Sequence, residues 1–262
     1  MKLDKEGLMM NYKRELTEAM CALLKQQEQV LAIWEGGSAA TGFEDEYSDL
    51  DFCIVTKHKA GDEIFSKLDE YFAAQHGIAR RFRIPEPAWH GMSQCMYLLS
   101  DSPELFYCDI CVVERDNPHK LIEQDRHGSA RVLYDPQGIL KPITSSQEEL
   151  DAICRRVWRM AASLDFVFEI ELKKAIKRGL TIDAISLYHT FLQRCLVSLL
   201  NLKYRPHKAD FGLRYIHREY PAEAVTLVED LLSMKDGLAK NVEMMLALYH
   251  DTKKELEAIY AD

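Results

Sequence analysis

The chain has 262 residues, 47% hydrophobic and 29% charged, with only 12 Gly and 8 Pro, a composition that excludes disorder, collagen-like repeats and low complexity. Its formal charge is −9, unevenly placed: residues 1–144 hold 16 Lys and Arg against 24 Asp and Glu, net −8, while residues 145–262 hold 17 against 18, net −1. That field argues against nucleic acid as a bulk partner and favours divalent metal ions or a cationic small molecule, and no apolar run reaches the ~20 residues of a membrane span.

In chain order, Asp4–Gln29 reads as a helix, followed by short β-rich runs at Val30–Glu35, Leu50–Thr56, Ile78–Ile84, Cys95–Ser100, Leu105–Glu114 and Arg131–Tyr134. Asp62–His76 is a second helix, with Gly77 in the stop position. After Asp135-Pro136-Gln137-Gly138 and the polar Thr144-Ser145-Ser146 the texture turns helical. Ser146 to Arg178 carries a Ser-x-x-Glu start and Gly179 at its end. Asp183–Tyr204 is interrupted by Pro206, Asp210–Glu219 by Pro221, and two more helices complete the chain. The expected architecture is an α/β (α+β) domain with a mixed sheet over 1–144, then an all-α helical bundle over 145–262. The first thirty residues are too charged for a signal peptide, and seven Cys without framework spacing suit a reducing compartment, so a cytoplasmic protein with no membrane partner is expected. A homodimer is one open expectation for its assembly.

Chemistry concentrates between Ile33 and Val55. A strand that runs into Gly36-Gly37-Ser38 and a short helical turn offers backbone N–H groups and a hydroxyl to phosphate oxygens. Ser48-Asp49-Leu50-Asp51 follows, and period-two alternation sends Asp49 and Asp51 to one face at the head of an apolar strand. Two adjacent carboxylates repel, a cost a bound cation offsets. Asp109, inside the run from Leu105 to Val113, is a third acid in a strand pattern, and pairing beside the Asp49/Asp51 strand would explain it. Cys108 and Cys111 spell C-x-x-C, but odd spacing on a strand sends them to opposite faces, and no second pair exists for zinc, so they read as packing residues.

Gly37-Ser38, Ser48-Asp49-Leu50-Asp51 and Asp109 together resemble the pattern of the polymerase-β-like nucleotidyltransferase superfamily. Within it the chain looks most like the antibiotic nucleotidyltransferases, the lincosamide and aminoglycoside adenylyltransferases, which pair this domain with a helical bundle. The resemblance implies transfer of a nucleoside monophosphate, AMP from ATP, to a hydroxyl of a small molecule, possible acceptors including an aminoglycoside or lincosamide antibiotic. It implies Mg²⁺ held by Asp49 and Asp51, with Asp109 sharing a second metal or acting as general base. The residues leave that choice open, and the resemblance leans to the base. It also implies nucleotide contacts from Gly37, Ser38, Ser48 and, at the basic break between helices, Lys208. Ala40 departs from the family, where many relatives carry Arg or Lys.

Elsewhere the signals are weaker. Arg155, Arg156 and Arg159 read as a salt-bridged helix face, His189 as a packed residue, and Trp89 with His90 as a loop at one rim of the acceptor pocket. Two other functions compete: the same chemistry on a protein or metabolite acceptor, and a non-catalytic nucleotide-binding partner of toxin–antitoxin type, against which the intact Asp set argues.

Overall fold

The computed structural model describes residues 5–88, 90–118 and 120–260. Asp4 and Trp89 lie outside the described residues. The chain divides into two compact units between Thr144 and Ser145.

The first unit contains α1 (Lys5–Leu24), β1 (Val30–Glu35), α2 (Gly37–Thr41), β2 (Leu50–Thr56), α3 (Gly61–Gln75), β3 (Ile78–Arg83), β4 (Ser93–Leu99), β5 (Cys108–Glu114), α4 (Gln124–His127) and β6 (Arg131–Tyr134). Its six strands form one mixed sheet in the order β3-β4-β5-β2-β1-β6, with β2 and β5 parallel and the other neighbours antiparallel. A parallel pair needs a long crossover, and α3, β3 and β4 supply it. Alternation then assigns the faces. Leu50, Phe52 and Ile54 join Cys108, Ile110, Cys95, Tyr97 and, from α1 and α3, Leu16, Met20, Phe65 and Phe72 in one buried core, each large apolar side chain contributing roughly 1.5–3 kcal/mol. On the other face Ala32, Trp34, Cys53 and Val55 are covered by Leu121 and Leu140. Cys108 and Cys111 fall on opposite faces, as their spacing requires.

Two boundaries in this unit differ from the sequence pattern. The first helix stops at Leu24 rather than Gln29, because residues 25–29 turn through bonds such as Val30 N–H to the Gln27 carbonyl at 3.0 Å. The fifth strand starts at Cys108 rather than Leu105: Leu105 has φ +69°, outside the strand region, and the Phe106 N–H turns back to the Pro103 carbonyl. Asp109 is therefore the second residue of its strand.

The second unit contains α5 (Gln147–Ala162), α6 (Asp165–Lys177), α7 (Thr181–Phe191), a π-helical turn at Leu192–Leu196, α8 (Val197–Tyr204), α9 (Ile216–Glu219), α10 (Ala222–Leu232) and α11 (Leu238–Tyr260). Tyr188, Phe191, Leu196, Leu199, Leu231 and Tyr249 are central to its core. The single helix expected from Ser146 to Arg178 is two helices. Ser146 and Glu149 do form a capping box at the start of α5. Its end is set from a distance: Tyr249 Oη donates to the Ala161 carbonyl at 3.0 Å, and Lys253 Nζ to the Ala162 carbonyl at 2.8 Å and to Asp165 Oδ2 at 2.7 Å. Those bonds satisfy the last carbonyls of α5 and let the chain restart. The helix expected over Asp210–Glu219 is reduced to Ile216–Glu219, because Asn201 and Arg205 tie the Ala209 and Gly212 carbonyls into a buried turn. Arg156 pairs with Asp210 at 3.1 Å. No helix among the described residues is long and apolar enough to cross a membrane.

Candidate active site

The site starts where β1 ends. The Gly36 N–H donates to the Asp51 carbonyl at 3.0 Å, so the turn lies directly against β2. Gly37 has φ +55°, and a Cβ there would stand 1.7 Å from Asp51 Oδ2. Only glycine lets the backbone pass the carboxylate that closely. Ser38 Oγ is buried and has no hydrogen-bond partner among the described residues, a hydroxyl held ready for an external oxygen. Ala40 is buried, and the Gly128 backbone lies against its carbonyl, which a Cβ at Gly128 would meet at 2.4 Å. Ser48 is committed differently. Its Oγ accepts from the Asp45 N–H at 2.8 Å and donates to Asp45 Oδ1 at 2.9 Å, closing the turn that leads into Asp49.

Asp51 and Asp109 are register partners on the parallel strands β2 and β5, which sets their side chains next to each other on one face. Asp49 precedes β2 by one residue and shares that side by alternation. Burial, then the charges of Asp109 and Asp49, push the Asp51 carboxyl up to about 6. Burial also raises Asp109, opposed by a Gln94 hydrogen bond, and Asp49, opposed by contacts from Tyr107. The Tyr107 hydroxyl is in turn pushed up to about 12 by burial and by Asp49.

A chain of hydrogen bonds orients Asp109. The Met92 N–H donates to His90 Nδ1 at 3.1 Å, which leaves Nε2–H to donate to Gln94 Oε1 at 3.0 Å. The Gln94 amide is thereby fixed with its nitrogen toward Asp109, donating to the two carboxylate oxygens at 2.7 and 2.9 Å. Beneath Asp49 and Asp51, Lys13 of α1 pairs with Glu35 at 2.9 Å and Glu44 at 2.7 Å, and Arg131 of β6 also pairs with Glu35. Lys13 and Glu35 are both buried, and the Lys13 charge favours ionised Asp49 and Asp51.

The structure thus brings Gly37, Ser38, Asp49, Asp51 and Asp109 into one neighbourhood, with Ser48 supporting the turn. Lys208 belongs to the helical unit, where its ammonium pairs with Glu219 and lies 5.8 Å from the rings of Phe211 and Tyr215. Gln94, Tyr107, Lys13 and Glu35 are additions that the motif does not announce; the one local signal is Glu35, an acid ending an otherwise apolar strand.

Among the described residues no group of three His, Cys, Asp or Glu side chains is placed to hold a metal ion. The donors present still fit Mg²⁺, which takes one or two carboxylates and completes its shell with substrate phosphates and water. Residues 13–88 match the family model of the nucleotidyltransferase domain. That stretch is similar to a nucleotidyltransferase domain. The match spans the β1 turn and the Asp49/Asp51 strand; β4, β5 with Asp109, and β6 lie outside it. No curated protein matches the chain. Among solved structures, a nucleotidyltransferase-like protein from Exiguobacterium sibiricum is similar at 8% identity and TM-score 0.37, covering 92% of this chain and 74% of the other. A STING-associated CdnE c-di-GMP synthase from Capnocytophaga granulosa shows 13% identity and TM-score 0.32, covering 95% and 81%. A cytoplasmic RNA terminal U-transferase shows 19% identity and TM-score 0.30 over 42% of this chain and 30% of its own. The chain spans less than a third of the length of that last structure.

Proposed function

We propose that this nucleotidyltransferase moves a nucleoside monophosphate, AMP from ATP, to a hydroxyl of a small molecule in a Mg²⁺-dependent reaction. The observation that supports this most is the in-register pair Asp51 and Asp109, joined by Asp49 and set against the Gly37 turn. Gly37 backbone and the unpartnered Ser38 hydroxyl receive triphosphate oxygens. Asp49 and Asp51 are the metal ligands. When bound, Mg²⁺ neutralises phosphate charge and the mutual repulsion of the carboxylates. Asp109, oriented by Gln94, takes the proton of the acceptor hydroxyl as its oxygen bonds to the α-phosphorus; the bond from that phosphorus to the bridging oxygen breaks, and pyrophosphate leaves. Burial raises Asp109, which makes it a better base than a free carboxylate. An aminoglycoside or lincosamide acceptor is suggested by the family resemblance alone.

The direct test measures pyrophosphate release from each of the four nucleoside triphosphates with Mg²⁺, across aminoglycosides, lincosamides and hydroxylated metabolites. Acceptor-dependent release that is largest with ATP and stopped by EDTA is expected. No release from any combination would reject the reading.

A further inference from the structure

The sheet face that carries the carboxylates is covered further along its central strands and open toward the β3 edge. Further along β1, β2 and β5, Trp34, Cys53, Val55 and Val113 cluster with Leu121 and Leu140. Toward the β3 edge the same face continues through β4 and β3. Asp109 pairs in register with Met96, Met96 with Phe82, and one alternation further along Leu98 pairs with Arg80. Phe82 is 60% exposed and Leu98 38%. Arg80 is exposed and has no ion pair or hydrogen bond among the described residues. Its neighbours differ: Arg81 and Arg83 project to the other face, Arg81 onto Asp69 at 2.8 Å and Arg83 onto Glu86 at 2.6 Å. An aromatic ring, a leucine, a methionine and one unpaired guanidinium therefore form an open strip that begins at the third carboxylate.

We propose that this strip seats the hydroxyl acceptor, and that the acceptor is a small molecule with a flat apolar or aromatic body and a single anionic group, its hydroxyl at Asp109 and its anion at Arg80. The proposal rests on the transfer reading above. Three arguments carry it. Gly37 and Ser38 lie on the β1 flank of the carboxylates and the strip on the β4 flank, so donor and acceptor approach the reacting phosphorus from opposite sides, as an in-line displacement requires. Size comes next: two strand spacings of about 4.8 Å and one two-residue step of about 6.6 Å set the Arg80 and Asp109 Cα atoms about 12 Å apart, room for one or two rings once the Arg side chain reaches inward. The charge decides the class. One cation cannot track a polynucleotide backbone, and a chain of net −9 repels one. A polycation would meet Arg80 and apolar side chains where it needs carboxylates. An aromatic acid instead places its ring on Phe82 and its charge on Arg80.

The test uses three probes with one body and one hydroxyl: 4-hydroxyphenylacetate, its methyl ester and tyramine, which carry an anion, no charge and a cation. Their dissociation constants are measured by saturation-transfer NMR on the full-length protein, on Arg80→Gln and on Phe82→Ser, with thermal melts showing that each variant folds. The acid is expected to bind about threefold or more tighter than the ester, a typical yield of one exposed ion pair, and tyramine weakest. Arg80→Gln should bring acid and ester together, and Phe82→Ser should weaken all three. Tyramine binding as tightly as the acid, indifference of all three to Phe82→Ser, or no binding below about 10 mM would overturn the proposal. The binding pattern without pyrophosphate release from any nucleotide would reject the transfer reading and leave the strip. Release to an acceptor that competes with none of the probes and ignores Phe82→Ser would reject the strip and leave the transfer reading.

Discussion

Asp51 bears the largest electrostatic cost among the residues of the site. Its folded carboxyl titrates at about 6, against about 3.9 in an unfolded chain, so the folded state binds more protons across that window. Stability therefore falls as pH rises from about 4 to about 6, and above it Asp51 destabilises the metal-free protein by at most about 3 kcal/mol. Asp51→Asn escapes this cost. In EDTA at pH 7.5 the variant should melt above wild type, with the gain vanishing near pH 4; equal melting temperatures at pH 7.5 would contradict the placement of the three carboxylates. Asp109 is expected to behave as a base: Asp109→Asn should lose about 10²–10⁴-fold in turnover while metal and nucleotide binding stay nearly normal. Recovery of the rate in excess Mg²⁺ would make it a metal ligand instead. Gln94→Ala frees the Asp109 carboxylate from its amide, and should lower kcat with little change in the nucleotide KM. The acids of this site are legible in the sequence because an Asp in an apolar strand breaks a local pattern. Gln94, Tyr107 and Lys13 are not, since each reaches the site through strand order or helix packing.

Elements whose ends are written locally are the ones the sequence describes well. The stop at Gly77, with φ +69°, and the Ser146 capping box lie within a few residues of the helices they bound. The break between α5 and α6 is different: the groups that end α5 belong to Tyr249 and Lys253, 88 and 91 residues away. The turn between α8 and α9 depends on Arg205, buried to 1% exposure, whose guanidinium holds Asn201 Oδ1 at 2.8 Å, Glu219 Oε2 at 2.6 Å and the Gly212 carbonyl at 2.7 Å. Arg205→Lys cannot reproduce that fork, and it should cost the helical unit about 3 kcal/mol in chemical denaturation. A loss below about 0.5 kcal/mol would show that the turn holds without it.

For the whole molecule, the acidity sits in the unit that carries the carboxylates, net −8 over residues 1–144. Bringing a triphosphate there without a cation adds like charge to like charge. Calorimetry should accordingly show ATP binding that is weak in EDTA and tightens with Mg²⁺; affinity independent of the metal would contradict the electrostatic account. The mixed sheet followed by helices can be read from the change in hydrophobic period along the chain, whereas the open strip beyond Asp109 cannot, because it exists only once β3 and β4 are laid beside β5. Asp49 and Asp51 are proposed to carry metal-dependent nucleotidyl transfer, and the most direct measurement follows label from [α-³²P]ATP into an acceptor with wild type, Asp49→Asn and Asp51→Asn. Loss of a bound ion removes several kcal/mol of transition-state stabilisation, so each variant should fall below about a hundredth of the wild-type rate while remaining folded. Either variant keeping more than about a tenth of that rate would contradict the proposal.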